Sequence, residues 1–419
     1  MEKGLFFSPT PFTPPTTEED RLSWLRLIRS SRVGPTTFHR LLGEHGSAAA
    51  ALEALPRVAQ AAGVKDYSPC PEGVARAEMA AARRAGARMV CFGSPHYPPD
   101  LADLPDAPPV LWLIGDAALL HRPMVALVGA RNASSLGLRM ARRLAAELAE
   151  AGIAVVSGLA RGIDAAAHEA ALSGGTVAVQ AGGVDVVYPL ENTALTHTIG
   201  TRGARISEQP MGLEPQARHF PQRNRIVSGI ALGVVVVEAA ERSGSLITAK
   251  NALDQGREVM AVPGHPVDAR AAGCNRLIRE GAVLVRGAED VIEALGPALA
   301  AARANRGAAP MATAPEPRRP LGHLAEVAGA VLRGRRTTAP GVPPGPPPRP
   351  AAETAALHRA ILDRLGAAPL AEDQLIRDLA LPAAAVAPEL VMLELDGAIE
   401  RAPGGLLSRV QDHAAAPRD

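Results

Sequence analysis

Two periodicities alternate along the middle of this chain. From about residue 88 to 298, short apolar runs are separated by segments of about ten to fifteen residues whose apolar positions recur at helical spacing. The runs Val125–Ala130, Ile153–Ser157, Thr176–Gln180, Arg205–Glu208, Val234–Glu238, Val259–Val262 and Val283–Val285 predict strands. Leu138–Glu150, Asp164–Leu172, Thr193–Gly200 and Ser245–Gln255 predict helices. Such alternation means an α/β class built of βαβ units around a mostly parallel sheet. Sheets of this kind collect their ligands at the carboxyl ends of the strands. The glycine-rich turns of this region follow strands, so they are expected to converge on one edge.

The flanks read differently. Residues 1–17 are rich in Pro and Thr and predict a loose arm. Residues 18–80 predict short helices: Arg21–Ser30 is helical, Val33-Gly34-Pro35-Thr36-Thr37 breaks the pattern, and Phe38–Leu42 resumes it. That pattern fits a helix-hairpin-helix module, whose hairpin amides can face a phosphate, and equally a plain packed αα-hairpin. Residues 303–352 predict a linker, with eleven prolines between 310 and 350 and eight Arg against two Glu between 303 and 350. A short apolar helix at Leu321–Leu332 interrupts it. Within 353–410, Ala355–Leu365, Ala371–Leu379 and Ala384–Asp396 predict three helices, and Ile399–Leu407 predicts a β-hairpin. Three helices and a hairpin outline a winged helix. Its would-be recognition helix, around Pro382–Leu395, holds no Arg or Lys and carries Glu389, Glu394 and, just beyond, Asp396. Acidic residues repel phosphate, which favours protein interaction over DNA reading there.

Composition narrows the functional classes. At 419 residues the chain is expected to form two to four domains, and the formal net charge of +1 means that affinity for a polyanion must come from local clustering. Cys70, Cys91 and Cys274 lie far apart without metal-type spacing, which points to a reducing cytosol. No run of about 18 apolar residues occurs and the N-terminus lacks a signal-peptide core, so a soluble cytoplasmic protein is expected. Forty-one Arg stand against three Lys, which base composition explains; Lys250 is therefore unusual in its surroundings.

Six turns carry candidate chemistry. Gly129-Ala130-Arg131-Asn132-Ala133-Ser134-Ser135-Leu136-Gly137 follows a strand and opens a helix. It offers Arg131, two hydroxyls and free amides to an anion, or else a Ser cap beside an exposed Arg. It has neither dinucleotide nor P-loop spacing. Ser157-Gly158-Leu159-Ala160-Arg161-Gly162-Ile163-Asp164 allows close backbone approach, and Asp164 with His168 at i, i+4 predicts a structural pair. In Gly182-Gly183-Val184-Asp185-Val186-Val187-Tyr188-Pro189, Asp185 and Tyr188 are open to either ligand contact or loop fixing. Phe220-Pro221 with Arg223 and Arg225, read as a polar turn, offers an exposed ring on which a base could stack and one cation facing phosphate, the other pairing with Glu208 or Glu238. Ser243-Gly244-Ser245 precedes a helix bearing Thr248 and Lys250, and Asn275 in the sixth turn caps its helix or holds a neighbouring loop. No motif assembles a metal site, a covalent nucleophile or an ATPase, so no cofactor is expected. A Rossmann-like nucleotide or nucleoside hydrolase, with Glu238 or Asp185 poised over a sugar, is the enzymatic alternative.

Taken together, these turns resemble the DNA-processing protein A (DprA/Smf) family. The matching residues run in order through Gly129-Ala130-Arg131, Ser157-Gly158, Gly162-Ile163-Asp164, Ser207-Glu208, Phe220-Pro221 with Arg223-Asn224-Arg225, Val237-Glu238-Ala239, Ser243–Ala249 and Val262-Pro263-Gly264. The resemblance implies an extended Rossmann-like core flanked by an N-terminal helical (SAM/helix-hairpin-helix-like) domain and a C-terminal winged-helix domain. It implies single-stranded DNA binding, dimerisation through the core and loading of the RecA recombinase, without catalysis. Carried onto this chain, the DNA-binding residues are Arg131, Ser134, Ser157, Gly158, Phe220, Arg223, Arg225, Ser243, Gly244 and Lys250. Ala130 departs from the family, which commonly has Ser there.

Overall fold

The computed structural model describes residues 13–307 and, towards the C-terminus, 351–365, 370–379, 381, 386, 389–390, 392–394, 398–402 and 406–409. Most of the expected arm, most of the expected linker and its helix at Leu321–Leu332 lie outside these residues. The chain divides into two compact units, Met1–Arg306 and Gly307–Asp419.

The first unit opens with four helices: α1 (Glu18–Arg29), α2 (Pro35–His45), α3 (Ala48–Ala61) and α4 (Glu72–Arg84). Local chemistry sets their ends. Thr17 and Asp20 form a capping box on α1, Pro35 occupies the first turn of α2, and Ser47 caps α3 by accepting from the Ala50 amide. The break at Val33-Gly34 thus lies in the loop between α1 and α2, whereas Pro35-Thr36-Thr37 form the first turn of α2.

There follow β1 (Arg88–Cys91), α5 (Pro99–Ala102), β2 (Val110–Gly115), β3 (Met124–Gly129), α6 (Ser135–Glu150), β4 (Ala154–Ser157), α7 (Ile163–Ala171) and β5 (Thr176–Val179). Next come α8 (Thr193–Arg202), β6 (Ala204–Ser207), α9 (His219–Gly229), β7 (Gly233–Glu238), α10 (Ser245–Asp254), β8 (Glu258–Ala261), α11 (Ala272–Arg279), β9 (Val283–Leu284), α12 (Ala288–Ala294) and α13 (Gly296–Gly307). One nine-stranded sheet has the order β1-β2-β6-β5-β4-β3-β7-β8-β9. Strands β6 through β9 pair in parallel, and β2 is antiparallel to both β1 and β6. The mostly parallel sheet is as expected, but two elements are corrections. The antiparallel pair β1–β2 was not predicted. The polar stretch after Ala217 is not a turn but the helix α9.

The apolar runs are explained by burial on both faces: all six residues of β7 are buried. One face packs on residues of α9, α10 and α11, the other on α6, α7, α12 and α13. The four N-terminal helices share a third core with β1 and β2, centred on Trp24, Phe38 and Trp112. Edge-to-face ring contacts run from Trp24 to Phe38 (5.1 Å), His39 (5.6 Å), Phe92 (4.8 Å) and Tyr97 (5.4 Å), fastening the helices to the sheet.

The second unit holds α14 (Ala351–Arg364), β10 (Leu370–Ala371), α15 (Glu372–Leu379), β11 (Ile399–Ala402) and β12 (Leu406–Arg409), in a sheet of order β10-β12-β11. The expected hairpin is present as β11–β12. The third predicted helix is described only in part; its Val386, Leu390 and Leu393, spaced four and three apart, join Ile361 and Leu375 in the core. Among the described residues, no helix is long and apolar enough to cross a membrane.

Candidate nucleic-acid interface

The strand order reverses between β3 and β7, because β3 carries β4 on one side and β7 on the other. In open α/β sheets this switch point is where ligands bind. Here the crevice is stitched from below. Glu238, the last residue of β7, accepts from the Ser134 amide through Oε1 (2.9 Å) and from the Ser134 hydroxyl through Oε2 (2.5 Å). Ser134 Oγ in turn accepts from the Gly137 amide, capping α6. The Ala130 amide donates to the Glu238 carbonyl at 2.7 Å. These bonds hold the β3–α6 turn with Arg131 at its apex. Arg131 is half-buried, and among the described residues it makes no hydrogen bond or ion pair. Its guanidinium carbon lies 5.1 Å from the centre of the Phe220 ring, a cation–π contact.

Phe220 belongs to α9, whose polar side turns inward. Arg223 is only 6% exposed, and its Nη1 donates to the carbonyls of Gly158 and, at 2.8 Å, Val179, the ends of β4 and β5. Its Nε donates to Asn224 Oδ1 at 3.0 Å. Burial lowers the Arg223 pKa to about 10, against the pull of Asp164 and with a further push from Arg131. Asp164 accepts from the Gly158 and Ala160 amides at 3.1 and 3.3 Å, and burial raises its pKa against the opposing pull of Arg223. Between those amides Leu159 is held at φ 57°, a left-handed conformation uncommon outside glycine. The expected Asp164–His168 pair is not formed. His168 Nδ1 instead lies 2.7 Å from Thr176 Oγ1, whose hydroxyl donates to the Val155 carbonyl, and burial drives the His168 pKa to about 3.

Beyond β7, the Ser243 and Ser245 hydroxyls bond each other at 2.7 Å. Gly244 is exposed and has ordinary helical dihedrals, φ −60° and ψ −21°, with no atom within 4 Å of the place a Cβ would take. Nothing inside the fold requires a glycine there. Lys250 is exposed, with its ammonium 2.8 Å from Asp254 at i, i+4. Such exposed pairs contribute roughly 0.3–0.5 kcal/mol and yield easily to a phosphate.

The profile described as DNA recombination-mediator protein A matches residues 88–296. A DprA-like N-terminal HHH domain matches 18–81 and a DprA winged helix domain 345–405. The chain is 43% identical over 220 residues to DNA processing protein DprA of Bacillus subtilis, covering 52% of this chain and 74% of that one. This chain belongs to the DNA recombination-mediator protein A family. It is 46% identical over 198 residues to DprA of Streptococcus pneumoniae, covering 47% and 70% of the two chains. An X-ray structure of DNA processing protein A from Streptococcus pneumoniae superposes with a TM-score of 0.51 at 34% identity, covering 66% of this chain and 93% of that one.

Set against the residues expected for this family, the structure divides the candidates. Ser157 is fully buried and donates to the Leu127 carbonyl at 2.6 Å. Gly158 makes room for the Arg223 guanidinium and not for a ligand. Phe220 is 8% exposed and lies 5.8 Å from the Tyr188 ring, so it supports Arg131 and is not an open stacking face. Arg225 pairs with Glu208 at 2.5 Å and Asp106 at 3.5 Å, not with Glu238. Ser157, Gly158, Arg223 and Arg225 are therefore engaged within the fold, because each meets a carbonyl, guanidinium or carboxylate from a distant segment. Arg131, Ser243, Gly244 and Lys250 keep accessible surface; Arg131 and Phe220 touch, whereas among the described residues no contact joins Lys250 to either. Asp185 fixes its loop by accepting from the Gly212 amide at 2.8 Å, and Asn275 clasps Gly264 through both its amide and its carbonyl. Arg242 was missed by sequence reasoning. It is exposed, it makes no hydrogen bond or ion pair among the described residues, and its position beside Ser243-Gly244-Ser245 was the available signal. Among the described residues no group of His, Cys, Asp or Glu could hold a metal.

Proposed function

We propose that this chain is a non-enzymatic mediator of recombination that binds single-stranded DNA along the carboxyl-end rim of its sheet. Arg131 makes the leading phosphate contact, and Arg242, Lys250 and the Gly244 amide, which follow β7, complete the site; the Ser243 amide already donates to the Ala240 carbonyl at 3.0 Å. The observation that carries this reading is Arg131 itself, an Arg at the switch point with no ion-pair partner among the described residues, held on an aromatic ring that pre-orients it for an anion. Family membership supports the wider role: a homodimer that shields single strands and delivers them to the RecA recombinase. The two carboxylates a hydrolase would use support no catalysis, since Glu238 is engaged by Ser134 and Asp185 by Gly212.

A mobility shift with single- and double-stranded oligonucleotides over a salt series tests the reading. Binding to single strands is expected to weaken with salt at a slope of about −0.7 per phosphate contacted. Arg131→Ala is expected to weaken it alike for all sequences while leaving the fold intact. Equal binding by parent and Arg131→Ala at about 50 mM salt, where charge contacts are strongest, would show that the rim is not the site. Co-precipitation of RecA with the DNA-bound protein tests the delivery step; no RecA in the complex would remove it.

A further inference from the structure

We propose that Arg29 and Glu208 are positioning residues of the DNA site, transmitting the placement of the N-terminal helices to α9 and so to Arg131; this rests on the single-stranded DNA reading above. The basis is a chain of charged groups that crosses the first unit. At one end Glu78, on α4, is 8% exposed. It accepts from Trp112 Nε1 at 2.7 Å and from Arg29 Nη2 and Nε at 2.8 and 3.0 Å. The remaining arm of Arg29, Nη1, donates to the backbone carbonyl of Glu208 at 3.1 Å. The Glu208 carboxylate then accepts from Arg225 Nη2 at 2.5 Å, and Arg225 Nη1 donates to the Asp106 carbonyl at 2.8 Å. Arg225 sits on α9, the helix that also carries Arg223 and Phe220.

The order of contacts is therefore Trp112, Glu78, Arg29, Glu208, Arg225, and along one helix Phe220, with Arg131 on its ring. A guanidinium is the group able to make this link, since its planar fork reaches a carboxylate with one side and a carbonyl with another. Four rigid helices anchored by the Trp24–Tyr97 ring contacts would then set how far α9 advances towards the rim. Coupling of this kind is reciprocal: a ligand that moves α9 must move the Arg29 end as well.

The protein carries its own reporter. Trp24 and Trp112 are its two tryptophans, and both are buried where the helices meet the sheet, 4% and 2% exposed, with neither at the rim. Full-length protein is titrated with an unlabelled single-stranded oligonucleotide while indole emission is followed, and in parallel with a labelled one for anisotropy. In the parent both signals are expected to saturate with the same Kd. Arg29→Lys keeps a charge beside Glu78 but cannot also reach the Glu208 carbonyl. Glu208→Gln removes the charge that Arg225 grips. Each is expected to raise the Kd about three- to tenfold and to suppress the indole response. Circular dichroism verifies the fold, and Glu208→Gln carries the test should Arg29→Lys not fold. Folded variants that bind with the parent's Kd and keep its indole response would overturn the coupling alone. A parent that binds no oligonucleotide would remove the site reading and this inference with it.

Discussion

Gly158 and Gly244 stand at the same edge of the sheet and are expected to respond to alanine in opposite ways. A Cβ on Gly158 would lie 2.6 Å from Arg223 Nη2, and closer still to Cζ and Nη1. A flexible side chain could ordinarily swing aside. This guanidinium cannot do so freely, because it is buried and its Nη1 holds the Gly158 and Val179 carbonyls. Hydrogen bonds from a charged donor contribute about 1.5–3 kcal/mol each, so displacing both is expected to cost about 3–5 kcal/mol after local relaxation. That is a large share of the roughly 5–15 kcal/mol that stabilises a typical protein, and corresponds to a fall of roughly 6–15 °C in Tm. At Gly244 the added methyl group meets open space with an allowed backbone, so alanine there is expected to stabilise by about 0.4–1 kcal/mol through the unfolded chain. If a phosphate approaches the Gly244 amide closely, the same methyl group lowers affinity for single-stranded DNA without loss of stability. Urea unfolding followed by circular dichroism, with anisotropy of a labelled oligonucleotide, reads both quantities. A Gly158→Ala protein within about 0.5 kcal/mol of the parent, the range of an inconsequential surface change, would refute the role assigned to Arg223.

Other residues give independent checks. Ser134→Ala removes the α6 cap and one donor to Glu238, and is expected to cost about 1–3 kcal/mol in the same unfolding assay. His168 stays neutral when folded, with its pKa near 3, while the unfolded chain takes up a proton below about 6.5. The unfolded state thus binds more protons in that window, so stability is whole above about 6.5 and falls by up to about 1.4 kcal/mol per pH unit below it. His168→Gln should flatten that part of the profile; an unchanged slope would contradict the assignment. Arg225→Met strands the Glu208 carboxylate, whose pKa burial already raises, and is expected to cost about 3–5 kcal/mol at neutral pH. The deficit should shrink on acidification as Glu208 takes a proton, which thermal melts across pH would record.

The parallel strands at the centre of the sheet were legible because they are buried on both faces, and a doubly buried strand has to be written as a continuous apolar run. Gly233–Glu238 is the clearest instance, and with the helices between such runs it was enough to predict an α/β sheet and its functional edge. Strand β1, Arg88–Cys91, lies at the sheet's margin with its first two residues not fully buried, so it is not written as a continuous apolar run. Helix α9 was hidden for a different reason. Its Arg223 and Arg225 are polar yet face inward, so it carries no apolar stripe of helical spacing. Periodicity is a local property, and from it the chain by itself determined the α/β class, the parallel strands with the helices between them, and the turns that follow those strands. Which cation stays available to a ligand is decided by what lies within about 3 Å of its nitrogens. Gly158 and Val179 stand 65 and 44 positions from Arg223, and Glu208 stands 17 from Arg225. Only the folded chain brings them to those guanidinium groups and leaves Arg131 without an ion-pair partner among the described residues.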